Sequence, residues 1–176
     1  MPPEPAPPGS LIQIDGIPHM VVNTESVAVI ISQVMKTLGR GGEAILYSAG
    51  FEIGRGAHSM VARIYSPQTP EEGLDWFGRH FRGLGHFDLR SRSLDADRGK
   101  VILTLDRSFE TQYRDARKEG RGCHYVRGLI AGFVSALLDQ PDAVCDEIHC
   151  QSRGSGECEF VVHPHVLAAV GAASPP

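Results

Sequence analysis

All four cysteines of the chain, Cys123, Cys145, Cys150 and Cys158, fall between positions 123 and 158. No other feature limits the fold so tightly, because three of them sit at joints between elements. Cys123 precedes a stretch in which Tyr125, Leu129, Phe133 and Leu137 recur every four residues, which marks one face of a helix. Cys150 follows a strand-like run over 143–149, and Cys158 stands near the head of another over 157–163. The turn Gln151-Ser-Arg-Gly-Ser-Gly156 separates the two runs. Any chemistry that gathers these sulfurs ties the last helix to the last hairpin. Glu147 adds a carboxylate close by. Three thiols and one carboxylate make a tetrahedral donor set, and zinc accepts sulfur, nitrogen and carboxylate ligands.

The same residues admit other readings. Strict alternation puts Glu147 and Cys150 on opposite faces of a strand, so both reach one ion only if the strand bends or bulges before Cys150. Buried cysteines often serve as small apolar residues. A Cys150–Cys158 disulfide would also close the hairpin. Glu147 reads equally as a solvated strand residue, and Cys145 and His149 are rival ligands. His124, His163 and His165 read as surface histidines. The open N–H groups of a helix start are expected to favour a thiolate at Cys123.

Composition bounds the rest. A chain of 176 residues suits one domain, with 41% hydrophobic and 22% charged residues, the balance of a globular protein. The net charge of -4 argues against a dedicated nucleic-acid binder. No apolar run reaches the ~18 residues of a membrane span. The N-terminus lacks the basic start and apolar stretch of a secretory signal, so the expected location is cytoplasmic, where thiols stay reduced and crowded cysteines point to a metal.

The expected organisation is a flexible Pro-rich tail over 1–10, one domain over 11–165 and a flexible tail over 166–176. Short strands over 11–14 and 19–22 flank Asp15-Gly16-Ile17-Pro18 as a hairpin turn. Thr24 is the expected cap of a helix that Gly39 and Gly41 end. A second helix runs from about Gly42 towards Ile64 and carries Gly50, Gly54 and Gly56, whose small size favours close helix packing. Thr69-Pro70-Glu71-Glu72 combines a cap, a proline at the first helical position and acids in the first turn. A hairpin over 87–94 and 100–105, a charged segment over 113–121, the helix after Cys123 and the last hairpin complete the order. The fold class is α+β: an antiparallel sheet built from hairpins, packed with about four helices.

The patterned helices supply candidate ligand-binding residues: Trp76, Phe77, His80, Phe81, Tyr125, Leu129 and Phe133, with His86 as a further polar group. At helical spacing, Phe77, Phe81, Leu129 and Phe133 also read as plain core. Arg79, Arg82, Arg90 and Arg92 read as a solvated face or a docking patch. Signs of catalysis are few. Gly54-Arg-Gly56 and Gly154-Ser-Gly156 lack the strand–turn–helix setting of a dinucleotide fingerprint, and a zinc with four protein ligands keeps no position for water.

Cys123-His-Tyr-Val-Arg-Gly128-Leu-Ile-Ala-Gly132, followed by Glu147-x-x-Cys150-x-x-x-Gly154-x-x-x-Cys158-x-Phe160, resembles the C-terminal signature of the 4-vinyl reductase domain family. That family includes hydrocarbon-binding proteins and the sensory domains of phenol-responsive bacterial activators, and is similar in fold to small subunits of the Golgi transport particle. The resemblance implies a ligand-binding domain of the NO-signalling/Golgi-transport type. It also implies zinc (Zn2+) on Cys123, Glu147, Cys150 and Cys158, with Cys145 a bystander. The implied partners are a small apolar or aromatic ligand, a second copy as homodimer and possible further proteins. The function so implied is a non-enzymatic sensory domain. An adaptor without ligand and an accessory factor in tetrapyrrole vinyl reduction are the alternatives.

Overall fold

The computed structural model describes residues 12–14, 17–112 and 122–165. The two expected tails and the charged segment 113–121 lie outside the described residues. The element order is β1 (Ile12–Ile14), β2 (Ile17–His19), α1 (Thr24–Leu38), α2 (Arg40–Tyr65), α3 (Pro70–Gly83), β3 (Asp88–Asp95), β4 (Lys100–Asp106), α4 (Phe109–Gln112), α5 (His124–Leu137), β5 (Ala143–His149) and β6 (Cys158–Pro164), with one 3-10 turn at Gln151–Arg153. It is the expected α+β class. β1 and β2 pair alone, and the other strands form an antiparallel sheet in the order β3-β4-β6-β5.

Local chemistry accounts for most boundaries. Thr69 caps α3 by accepting from the Glu72 amide at 3.2 Å, with Pro70 next. At α1 the cap is Asn23 rather than Thr24: the Asn23 side-chain oxygen accepts from Ser26 at 2.7 Å, which leaves Thr24 as the first helical residue. Asn and Thr both cap, and the extended backbone at Asn23 decides between them. Ile17 and Pro18, expected in the first turn, belong to β2. Gly39 alone separates α1 from α2, at φ 53, and Gly41 lies inside α2.

The centre of the molecule is a helix crossing without side chains. A Cβ on Gly50 or Gly54 of α2 would strike the carbonyl oxygens of Tyr125 and Leu129. A Cβ on Gly128 or Gly132 of α5 would strike those of Tyr47 and Phe51. The two backbones therefore touch, and α5 is pressed between α2 and the sheet. Gly56 faces open space and takes no part in the crossing. Leu74, Phe77, Leu103, Leu105, Leu129, Phe133 and Phe160 are fully buried between the helices and the sheet. The crossing and the sheet set α5's first turn beside the open end of the β5–β6 hairpin.

Candidate metal centre and aromatic cluster

Cys123, Glu147, Cys150 and Cys158 converge at that end, with their donor atoms all within 4.8 Å of one another. Each comes from a different local solution. Cys123 is the residue before α5. Glu147 lies on β5, and Ile148 is an extra residue there: Glu147 pairs with Phe160 while His149 pairs with Glu159. This bulge is the irregularity the alternation argument requires, and it turns Cys150 back towards the Glu147 side. Cys158 is the first residue of β6. All four cysteines are free, so the Cys150–Cys158 disulfide is not formed. Cys145 is buried elsewhere on β5, with its amide donating to the Tyr47 hydroxyl, and His149 is exposed.

The donors are held by hydrogen bonds. The Cys123 amide donates to the two Glu147 oxygens at 3.3 and 3.1 Å, and Arg153 donates to Glu147 Oε2 at 2.8 Å. The Gln151 amide donates to Cys158 Sγ at 3.3 Å, and Ser152 Oγ lies 3.0 Å from Cys150 Sγ. The Glu147 side chain is 4% exposed. Burial, then its hydrogen bond with Cys150, pushes its carboxyl up to about 7. Hydrogen bonds from Cys123 and Cys158 hold the Cys150 thiol far below the usual range. The same bonds, with burial, push Cys123 up. The helix start does not favour a thiolate at Cys123, because the N–H groups of that first turn are already taken. Glu110 accepts from Tyr125 at 3.2 Å and from Val126 at 2.7 Å. The cluster can coordinate a metal ion.

A second group lies on the other side of α5's first turn. His86 packs between Phe81 (5.1 Å), Phe109 (5.3 Å) and Tyr125 (6.3 Å), measured between ring centroids. Its Nδ1 is buried with no hydrogen-bond partner in the protein. Burial, then the neighbouring His80, lowers the ring to about 4, so it is neutral near pH 7. His80 meets Phe81 edge-on at 5.3 Å.

The other expected ligand contacts have different surroundings. Phe77 and Phe133 pack on each other at 4.3 Å and have no exposure, as has Leu129. They are core. Trp76 stacks on Tyr65 at 4.0 Å beneath Arg79, apart from the His86 group. The remaining arginines of the basic stretch are matched by acids: Arg82 with Asp88, Arg90 with Asp106, and Arg92 with Asp75. Two residues that sequence reasoning missed are Phe109 and Glu110. They sit in the four-residue helix α4, too short to show a period, and only their apolar–acidic pairing after a strand marked them.

The sequence pattern of the 4-vinyl reductase domain matches residues 111–164, the part that holds the metal cluster. No curated protein matches the chain. Among solved structures the chain is similar to the phenol-responsive sensory domain of the transcription activator PoxR with phenol, at TM-score 0.73 and 17% identity, covering 85% of this chain and 78% of that one. It is similar to trafficking protein particle complex subunit 3 from Naegleria fowleri, covalently bound to palmitic acid, at TM-score 0.57 and 12% identity, covering 80% and 93%. A vinyl-4-reductase family protein from Methanocaldococcus jannaschii gives TM-score 0.54 and 18% identity, covering 82% of each chain. An H-NOX protein from S. oneidensis gives TM-score 0.55 and 12% identity, covering 90% and 82%. The chain thus has a vinyl-reductase-like fold, related distantly to phenol-sensor, transport-particle and H-NOX domains.

Proposed function

We propose that this domain is a non-enzymatic receptor for a small, neutral, hydroxyl-bearing aromatic molecule, held beside a structural zinc centre. The observation that carries the reading is His86. A buried polar atom without a partner costs about 1–3 kcal/mol, and the unpartnered Nδ1 is ringed by aromatic side chains. A phenolic hydroxyl supplies the missing hydrogen bond while its ring packs on Phe81, Phe109 and Tyr125. The neutral imidazole offers no countercharge, and Glu110 is buried next to Phe109, so a carboxylate ligand would be disfavoured there. His80 borders the site, Phe77, Leu129 and Phe133 form its floor, and Trp76 lies outside it. That the similar sensory domain of PoxR was solved with phenol supports the ligand class.

Zinc suits the donor set. Zn–S bonds of about 2.3 Å at tetrahedral angles set sulfurs about 3.8 Å apart, and Cys123 Sγ and Cys158 Sγ are 3.9 Å apart. With four protein ligands the ion has a structural role, fixing α5 against the β5–β6 hairpin. Cys123, Cys150 and Cys158 would supply the sulfurs and Glu147 the oxygen. Occupancy of the aromatic site would reach a dimer or partner surface. The apolar side chains Val29 and Ile30 of α1, each 59% exposed, and Ile45 and Ile53 of α2 support a homodimer there.

Calorimetry with zinc-loaded protein tests the ligand reading. Phenol should bind at least about ten-fold more tightly than toluene, the worth of one buried hydrogen bond. His86→Phe should erase that preference. Equal affinity for the two, or an unchanged preference in the variant, would reject the reading. The adaptor reading rests on a different observation, the complete burial of Phe77, Leu129 and Phe133, and predicts that neither compound binds.

A further inference from the structure

The segment Ser108–Thr111 touches both groups at once. Ser108 Oγ lies 3.5 Å from Cys123 Sγ. The Phe109 amide donates to the His86 carbonyl at 2.7 Å, and the Phe109 ring packs on His86 and Tyr125. Glu110 spends one oxygen on the Tyr125 amide and the other on the Val126 amide. Thr111 Oγ1 lies 3.3 Å from Gln151 Oε1, and the Gln151 amide donates to Cys158 Sγ. Successive side chains thus address the metal cluster, the aromatic group, the helix start between them and the metal hairpin. Ser108, Glu110 and Thr111 are all buried.

We propose that this segment couples the aromatic site to the metal centre, and that Glu110 is the positioning residue through which the coupling runs. The geometry gives the reason. Cys123 and Tyr125 are two residues apart at the start of α5, and their placement depends on how that first turn is held. No side chain of α5's own cap residue holds it. Glu110 does, from outside the helix, with a hydrogen bond to each of two consecutive amides. Charged acceptors on backbone N–H groups make strong, directional bonds. A shift of the first turn that brings Cys123 to the ion therefore moves Tyr125 and, through Glu110, Phe109. Binding at either site should favour binding at the other, and linkage makes the effect equal in both directions.

The inference rests on the ligand reading for its second site, so its first test needs no ligand. In full-length protein labelled at histidine, zinc titration should shift the ring 15N resonances of His86. Glu110→Gln keeps the size but places an amide where two acceptors stood. It should bind zinc with His86 shifted by less than half as much. The expected second result is that zinc tightens phenol binding about five-fold or more in the native chain, within the usual range of coupling between sites. Ser108→Ala, which removes only the contact to Cys123, serves if Glu110→Gln does not fold; it should reduce the zinc-induced His86 shift. A His86 resonance indifferent to zinc in the native chain overturns the coupling. So does an undiminished shift in the variant. Failure of phenol to bind, with the His86 shift present, removes the ligand reading and leaves the coupling intact.

Discussion

At the scale of single residues, two side chains carry opposite kinds of information. Cys158 has no exposure and gives its sulfur to the cluster. Cys158→Ala should lower zinc stoichiometry and thermal stability together. An ion held at a thousand times its Kd contributes about 4 kcal/mol of stability, so the loss should be plain in a melting curve. Unchanged zinc content would remove Cys158 from the site. His86 predicts a pH effect. Its folded value, about 4, lies below the ordinary 6.5. Its contribution to stability is therefore complete above about pH 6.5 and is lost as pH falls towards 4, by about 3 kcal/mol at most. The groups facing it are His80 on α3, Glu110 on α4 and Tyr125 on α5. Burial pushes Glu110 up to about 8, which works in the other direction, lowering stability as pH rises from about 4.5 through 8. The difference in stability between native protein and His86→Phe isolates the histidine. That difference should change between pH 6.5 and 4 and stay flat above it in chemical denaturation.

At the scale of elements, the α2–α5 crossing makes a paired prediction. Gly54→Ala places a methyl into the Leu129 carbonyl and should destabilise the fold by about 1–3 kcal/mol, as overpacking does. Gly56→Ala is on the same helix but faces open space, and should stabilise by up to about 1 kcal/mol. Denaturation midpoints of the two variants should move in opposite directions. The sequence showed both glycines at helical spacing and could not say which one met a backbone. The same limit applies to the aromatic residues. A period of four places Phe77, Phe81, Leu129 and Phe133 on inner faces, but it does not separate core from ligand contact. The metal set was legible because its residues sit at element ends with recognisable turns between them. The site's other half was not, because Phe109 and Glu110 occupy a single helical turn with no pattern of its own. Asn23 and Thr24 both carry a capping oxygen, and only the backbone of Asn23 decides which one is used.

At the scale of the whole molecule, the exposed apolar side chains lie on α1 and the outer side of α2, away from the sheet. The homodimer reading places a second copy there. Ile30→Glu should then shift the protein from dimer to monomer in sedimentation, with zinc content unchanged. A native chain that sediments as a monomer at all concentrations would contradict it. Among the described residues no helix is long and apolar enough to cross a membrane. A dimer built on α1 and α2 would set each α5 one helix layer below the contact, so the two aromatic sites would communicate through the glycine crossings.

One inserted residue decides whether the metal cluster can exist. Ile148 points outward, half-exposed, and touches no donor. Its worth is purely ordinal: it shifts the count along β5 by one, so that the carboxylate before it and the thiol after it look the same way. A chain that kept every donor and omitted this single position would spell the same ligands in the wrong phase. Spacing between donors is therefore as much a part of the inherited instruction as their identity, and a search of related sequences by residue type alone would pass over the difference.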